Sequence, residues 1–212
     1  MKTKSFTTLL CSIIGVLIAS AQQNYWQFNP SEDRAQTFVY NRKATFTANE
    51  VHLDKRPGDG HLRFDSLSFS NGTIELDIKG KNAFQESFVG VAFHGVNDST
   101  YDAVYFRPFN FQNPERKDHS VQYVAHDHYT WDKLRRDSPG KYEASLPENL
   151  DPNKWFHVRI VIEHPNIAVY VEDSAQPALK VEQLSSAKTG WLGLWVGNNS
   201  DGFFKNIKVS KK

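Results

Sequence analysis

Trp155-Phe-His-Val-Arg-Ile-Val-Ile-Glu163 and Ile167-Ala-Val-Tyr-Val-Glu172, parted by His164-Pro-Asn166, decide how this chain folds. Gly190-Trp-Leu-Gly-Leu-Trp-Val-Gly197 and Gly202-Phe-Phe-Lys-Asn-Ile-Lys-Val209 follow in the same style. β-branched and aromatic side chains suit a pleated, half-buried surface, and the Asn, Pro, Gly, Asp and Ser between the runs are turn formers. The connections leave no room for crossover helices, so the runs pair antiparallel. The reading is an all-β, antiparallel sandwich.

Upstream, Thr73-Ile-Glu-Leu-Asp-Ile-Lys79 alternates, with Ile74, Leu76 and Ile78 on one face and Glu75 and Asp77 on the other. Further strands are predicted at residues 37–40, 44–47, 51–53, 61–64, 87–94, 103–108 and 120–125. That makes about a dozen strands, enough for two sheets packed face to face. Asn71-Gly72 and Pro57-Gly-Asp-Gly60 mark turns. Residues 110–119 and 131–153 read as long polar loops, where a sandwich keeps its binding elements.

Lys2 and Lys4, an apolar run over residues 6–18 and Ala19-Ser-Ala21 have the layout of a secretory signal peptide cut near Ala21/Gln22. Residues 22–212 then form one sandwich domain, secreted or periplasmic. The apolar run is shorter than the roughly 20 residues of a spanning helix, and no other segment could cross a membrane. The single cysteine, Cys11, lies inside that run, so the exported chain has no disulfide, cysteine nucleophile or zinc–cysteine centre. The formal net charge of +1 falls to about −1 without Lys2 and Lys4, with basic residues scattered, so no general field draws nucleic acid or an anionic membrane.

The densest polar and aromatic cluster spans Val91-Ala-Phe-His94, Asp102-Ala-Val-Tyr-Phe-Arg-Pro108, Val121-Gln-Tyr-Val-Ala-His-Asp127 and Trp131. Alternation puts Tyr105 with Arg107 and Gln122 with His126, leaving Val104 and Phe106 opposite. Aromatic faces beside planar donors and acceptors suit saccharides, whose C–H faces stack while their hydroxyls need hydrogen-bonding partners. Tyr105, Arg107, Gln122, Tyr123, His126 and Trp131 are therefore the candidate ligand-binding residues. Glu75 and Asp77 share a strand face as the paired acids of a sandwich glycosidase do, although Lys79 and Gly80 stand where a third acid belongs. His94 is a further candidate acid or base. Asn198 and Asp201 could hold a structural calcium, and Asx-turn chemistry explains them without an ion. No cofactor is expected otherwise.

Ser70-Asn-Gly-Thr-Ile-Glu-Leu-Asp-Ile-Lys79, Phe88-Val-Gly-Val-Ala-Phe93, Tyr105-Phe-Arg-Pro108, Gln122-Tyr123, Trp131, Trp155-Phe-His-Val-Arg-Ile-Val161, Gly190-Trp-Leu-Gly193 and Phe203-Phe-Lys-Asn-Ile207 occur in an order that resembles the concanavalin A-like lectin/glucanase superfamily. Within it the chain is most similar to bacterial laminin-G-like and 3-keto-disaccharide hydrolase domain proteins. The resemblance implies a jelly-roll sandwich with its ligand on a concave sheet, on or near which Glu75, His94, Tyr105, Arg107 and Gln122 would lie. Phe88-Val-Gly-Val-Ala-Phe-His94 replaces the Asn-Ser-Gly-Ile-x-x-Arg stretch of the hydrolases. The expectation is an exported carbohydrate-binding or carbohydrate-active protein. A glycoside hydrolase of the 3-keto-disaccharide type is the first alternative and an envelope adhesion protein the second.

Overall fold

The computed structural model describes residues 25–212, and the predicted signal peptide, its cut at Ala21 and Cys11 lie outside them. In chain order the strands are β1 (Trp26–Gln27), β2 (Thr37–Tyr40), β3 (Ala44–Phe46), β4 (Glu50–Arg56), β5 (Gly60–Phe69), β6 (Gly72–Lys79), β7 (Val89–Gly95), β8 (Tyr101–Phe106), β9 (Val121–His126), β10 (Glu143–Ala144), β11 (Phe156–Glu163), β12 (Asn166–Val171), β13 (Leu179–Glu182), β14 (Gly190–Val196) and β15 (Ser200–Lys211). One α-helix, α1, spans Trp131–Asp137. An eight-stranded sheet runs β13-β12-β11-β6-β15-β4-β3, with β1 paired to β15, and a seven-stranded sheet runs β10-β9-β8-β7-β14-β5-β2. All pairings are antiparallel, and the chain changes sheet repeatedly, from β4 to β5, β5 to β6 and β6 to β7 among others. This is a jelly-roll sandwich. Among the described residues no helix is long and apolar enough to cross a membrane.

Period-two burial builds the core. Ile74, Leu76 and Ile78 of β6 and Val158, Ile160 and Ile162 of β11 face Val91 and Phe93 of β7, Val104 and Phe106 of β8 and Leu192 and Leu194 of β14 across the interior. Each such side chain contributes roughly 1.5–3 kcal/mol by leaving water. Gly72 makes one crossing possible: its φ is +146°, and a Cβ there would lie 1.9 Å from the Ser210 carbonyl oxygen. Only glycine accepts that conformation and that approach.

The predicted strands are present, and three additions and one correction complete them. β1 and β10 have 2 residues each, too short for an alternation to register, and β13 has 4. Residues 131–153 are not wholly loop, since they carry α1 and β10. α1 is under two turns long and buries only Leu134, so it leaves no repeating apolar stripe.

Two predicted site residues belong to the interior. The Tyr123 hydroxyl donates to Asp102 Oδ1 at 2.7 Å and accepts the Leu184 N–H at 2.9 Å, with the ring fully buried. His94 is equally buried, its Nε2 2.6 Å from the Ser70 carbonyl and its Nδ1 3.6 Å from Asp102 Oδ2. Its φ of +52°, beside a register shift between Trp191 and Gly193 on β14, turns the imidazole inward. Asp102 also receives hydrogen bonds from Gln183 Nε2 at 2.9 Å and Ser185 Oγ at 2.7 Å, which tie β8 to the segment after β13. A buried carboxylate persists only with such donors, and stripping one leaves a desolvated acceptor. Tyr123→Phe is expected to cost about 1–3 kcal/mol in urea unfolding, with no effect on ligand affinity.

Candidate functional site

The outer face of the seven-stranded sheet carries a groove of about 620 Å³. Its floor is built by alternation on adjacent strands: Tyr105 of β8 lies opposite Gln122 of β9, His126 opposite Tyr101, and Trp195 of β14 packs 5.1 Å from Tyr105. The Tyr105 hydroxyl donates to Gln122 Oε1 at 2.9 Å, and Arg107 Nη2 donates to the Tyr105 hydroxyl at 2.6 Å and to Gln122 Oε1. The three side chains predicted to converge do so. Burial pushes the Tyr105 hydroxyl up to about 12, with the neighbouring guanidiniums opposing, so it remains a neutral donor. Trp131 opens α1 on one lip, half-exposed, and Gln122 Nε2 reaches its carbonyl at 3.4 Å.

Other parts of the wall come from segments that no local pattern marks. Phe84, Phe88 and Phe109 pack edge to face, Phe84 to Phe109 at 5.6 Å and Phe88 to Phe109 at 5.4 Å, and Phe84 stands exposed on the second lip. Arg116 lies 4.6 Å over the Phe84 ring. Beneath the wall, buried Glu143 of β10 accepts from Arg135 Nε at 3.1 Å and Nη2 at 2.6 Å, with His119 Nδ1 at 2.9 Å and Arg107 at 3.7 Å. Burial alone would raise the Glu143 carboxyl, but Arg135, His119 and Arg107 together hold it below the usual glutamate range.

Asp59 forms the opposite wall, its Oδ2 3.9 Å from His126 Nε2. Enclosure disfavours charge on both groups, raising the carboxyl and lowering the imidazole, and their mutual attraction only partly offsets it. The Pro57-Gly-Asp-Gly60 turn that carries Asp59 is clamped from behind. Buried Arg42 donates through Nη2 to the Gly58 carbonyl at 2.6 Å and the Gly197 carbonyl at 2.9 Å. Asn41 Nδ2 reaches the Pro57 and Asp59 carbonyls at 2.9 Å each, and Asn198 Oδ1 accepts the Gly58 N–H at 2.7 Å. The turn was legible in the sequence; its aspartate's place in the groove was not.

Glu75 and Asp77 correct another expectation. β6 belongs to the eight-stranded sheet, so both carboxylates project from the opposite side of the sandwich, where Asp77 bonds His157 Nδ1 at 2.8 Å and Asn206 Nδ2 at 2.6 Å. Their shared face was read correctly, but membership of a sheet depends on distant partners. Of the two residues considered for calcium, Asn198 Oδ1 accepts the Gly58 N–H at 2.7 Å and Asp201 Oδ1 takes Lys81 Nζ at 2.6 Å. Among the described residues no group of three or more His, Cys, Asp or Glu is placed to hold a metal ion.

A jelly-roll sandwich with a groove on one sheet defines the class. The chain belongs to the family of the 3-keto-alpha-glucoside-1,2-lyase-like domain, whose model matches residues 20–210. No curated protein matches it. Among solved structures it is similar to the carbohydrate-binding module CBM66 from Bacillus subtilis, with TM-score 0.62, 19% identity and coverage of 82% of this chain and 96% of that one. A Bacillus subtilis protein with a galectin-like fold gives TM-score 0.58, 11% identity and coverage of 89% and 98%. The exoplasmic/lumenal domain of VIP36, bound to calcium and Man3GlcNAc, gives 0.56, 13% and 84% of each chain. At these identities the likeness is one of fold.

Beside the groove, buried His61 stacks 4.5 Å from Trp191 and 5.3 Å from Tyr40. Burial lowers its pKa from 6.5 to about 4, with Asp98 opposing. The folded state thus binds fewer protons than the unfolded state between those values, and stability rises with pH through that window. The contribution is complete above pH 6.5 and is lost as pH falls toward about 4. His61→Phe is expected to flatten this part of the curve relative to the parent, as read from urea midpoints at successive pH values.

Proposed function

We propose that the groove on the seven-stranded sheet binds a saccharide. One observation carries the reading: exposed rings, Phe84 and Trp131, stand on the lips of a floor where Tyr105 and Arg107 are locked in place by the fully buried Gln122 behind them. Rings supply apolar faces for sugar C–H groups, and a fixed fork of donors and acceptors reads hydroxyls with little ordering cost. Membership of a family named for a glucoside-directed lyase supports the same class of ligand. So does the likeness to a carbohydrate-binding module and to a domain bound to Man3GlcNAc. The leader-like segment ending at Ala21 supports export to the periplasm or medium.

Asp59 and His126 favour a second reading, a carbohydrate-active enzyme. A carboxyl with raised affinity for its proton and a neutral imidazole, 3.9 Å apart in the groove wall, are equipped to pass a proton to or from a bound sugar. Glu75, Asp77 and His94 have no access to the groove and take no part.

Trp131→Ala is expected to weaken saccharide binding about tenfold, the loss of one stacking contact, without moving the thermal midpoint. Isothermal titration against glycans retained on an array measures it. Unchanged affinity in both Trp131→Ala and Arg107→Ala would place the ligand elsewhere. Asp59→Asn separates the two readings: it leaves binding within about twofold, and abolishes any sugar release the parent shows.

A further inference from the structure

Arg107 is a buried cation whose one nearby carboxylate is shared with other groups. Only 4% of it is exposed, and the groups within hydrogen-bond distance are neutral: the His119 carbonyl at 2.9 Å, the Tyr105 hydroxyl at 2.6 Å and Gln122 Oε1. The nearest carboxylate oxygen, Glu143 Oε2 at 3.7 Å, already receives Arg135 Nη2 at 2.6 Å and faces His119 Nδ1 at 2.9 Å. Arg116, half-buried on the same wall, has only the Asn110 amide oxygen at 3.3 Å and the Phe84 face, with no carboxylate within 4.0 Å among the described residues. Two guanidiniums and an imidazole thus share one carboxylate at this end of the groove, and a third guanidinium beside them has none.

The remaining acids of the lining do not offset that excess. Asp59 sits with His126, which pairs opposite Tyr101 at the start of β8, whereas Arg107 follows its end. Asp132 bonds the Thr130 hydroxyl at 2.7 Å and faces Arg136 at 3.8 Å. Taking a guanidinium out of water is unfavourable unless a charge answers it, and burial draws the Arg107 proton affinity down accordingly.

We propose that the saccharide is acidic, with a carboxylate or sulfate ester seated between Arg107 and Arg116 while its ring lies along the aromatic lips. This rests on the saccharide reading and adds the chemistry of the ligand. The planar guanidinium fork matches either oxyanion, and one such charge-assisted bond is worth about 1.5–3 kcal/mol, tenfold or more in affinity.

The test uses the mature chain on an array of neutral, uronate-bearing and sulfated oligosaccharides. Titration follows with the best-retained glycan and with its carboxyl-reduced or desulfated counterpart. The expected result is retention of acidic glycans, at least tenfold weaker binding after the oxyanion is removed, and affinity that falls as salt rises. Loss on carboxyl reduction identifies a uronate, and loss on desulfation identifies a sulfate ester. Arg116→Gln, at a half-exposed position, should weaken the acidic glycan about tenfold more than its neutral counterpart, with the thermal midpoint as the check on folding. Equal binding of acidic and neutral forms overturns the proposal while the saccharide reading stands. Retention of no glycan by the folded chain overturns both.

Discussion

One buried carboxylate organises the groove. Glu143 reaches α1 through Arg135, the segment before β9 through His119 and the end of β8 through Arg107, so three pieces of chain are gathered on two oxygen atoms. β10, which carries it, is only 2 residues long and pairs with β9 at Gln122 and Val121. Such a short strand has little stability of its own, and the ion pairs that it anchors hold it in place. Losing the carboxylate would leave two guanidiniums facing one another in a partly dry wall, which costs far more than a surface ion pair contributes.

The other wall is held by different means. Arg42 meets carbonyl oxygens rather than acids, and with Asn41 and Asn198 it fixes both the Pro57–Gly60 turn and the chain after β14. One side of the groove is thus set by charge pairing and the other by backbone hydrogen bonds. The floor between them is set by strand pairing, with the Arg107–Tyr105–Gln122 hydrogen bonds fixing its side chains.

Local alternation made the sandwich and the heart of the site readable. Tyr105, Arg107 and Gln122 come from two strands joined by one excursion of chain, so a period of two and an antiparallel register suffice to bring them together. The same rule sends Tyr123 inward, one residue from Gln122, so its parity excludes it from the groove that its aromatic ring would suit. Glu75 and Asp77 were placed on the right face of their strand and the wrong sheet, because pairing with β11 and β15 is a long-range property. His94 breaks alternation through a positive φ that nothing in Phe93-His-Gly95 announces. Asp59, Phe84, Arg116, Glu143 and Trp195 meet only after folding, from segments scattered over more than half the chain.

Both sheets end in brief strands: β2 and β13 have 4 residues, β3 has 3 and β10 has 2. Unpaired ladder groups on a long, straight border invite a neighbouring copy to dock by adding its own backbone. Borders this short offer too few consecutive N–H and C=O groups to template that growth. Nearly half of the described backbone lies in strands, and its borders are the parts least able to recruit a second copy.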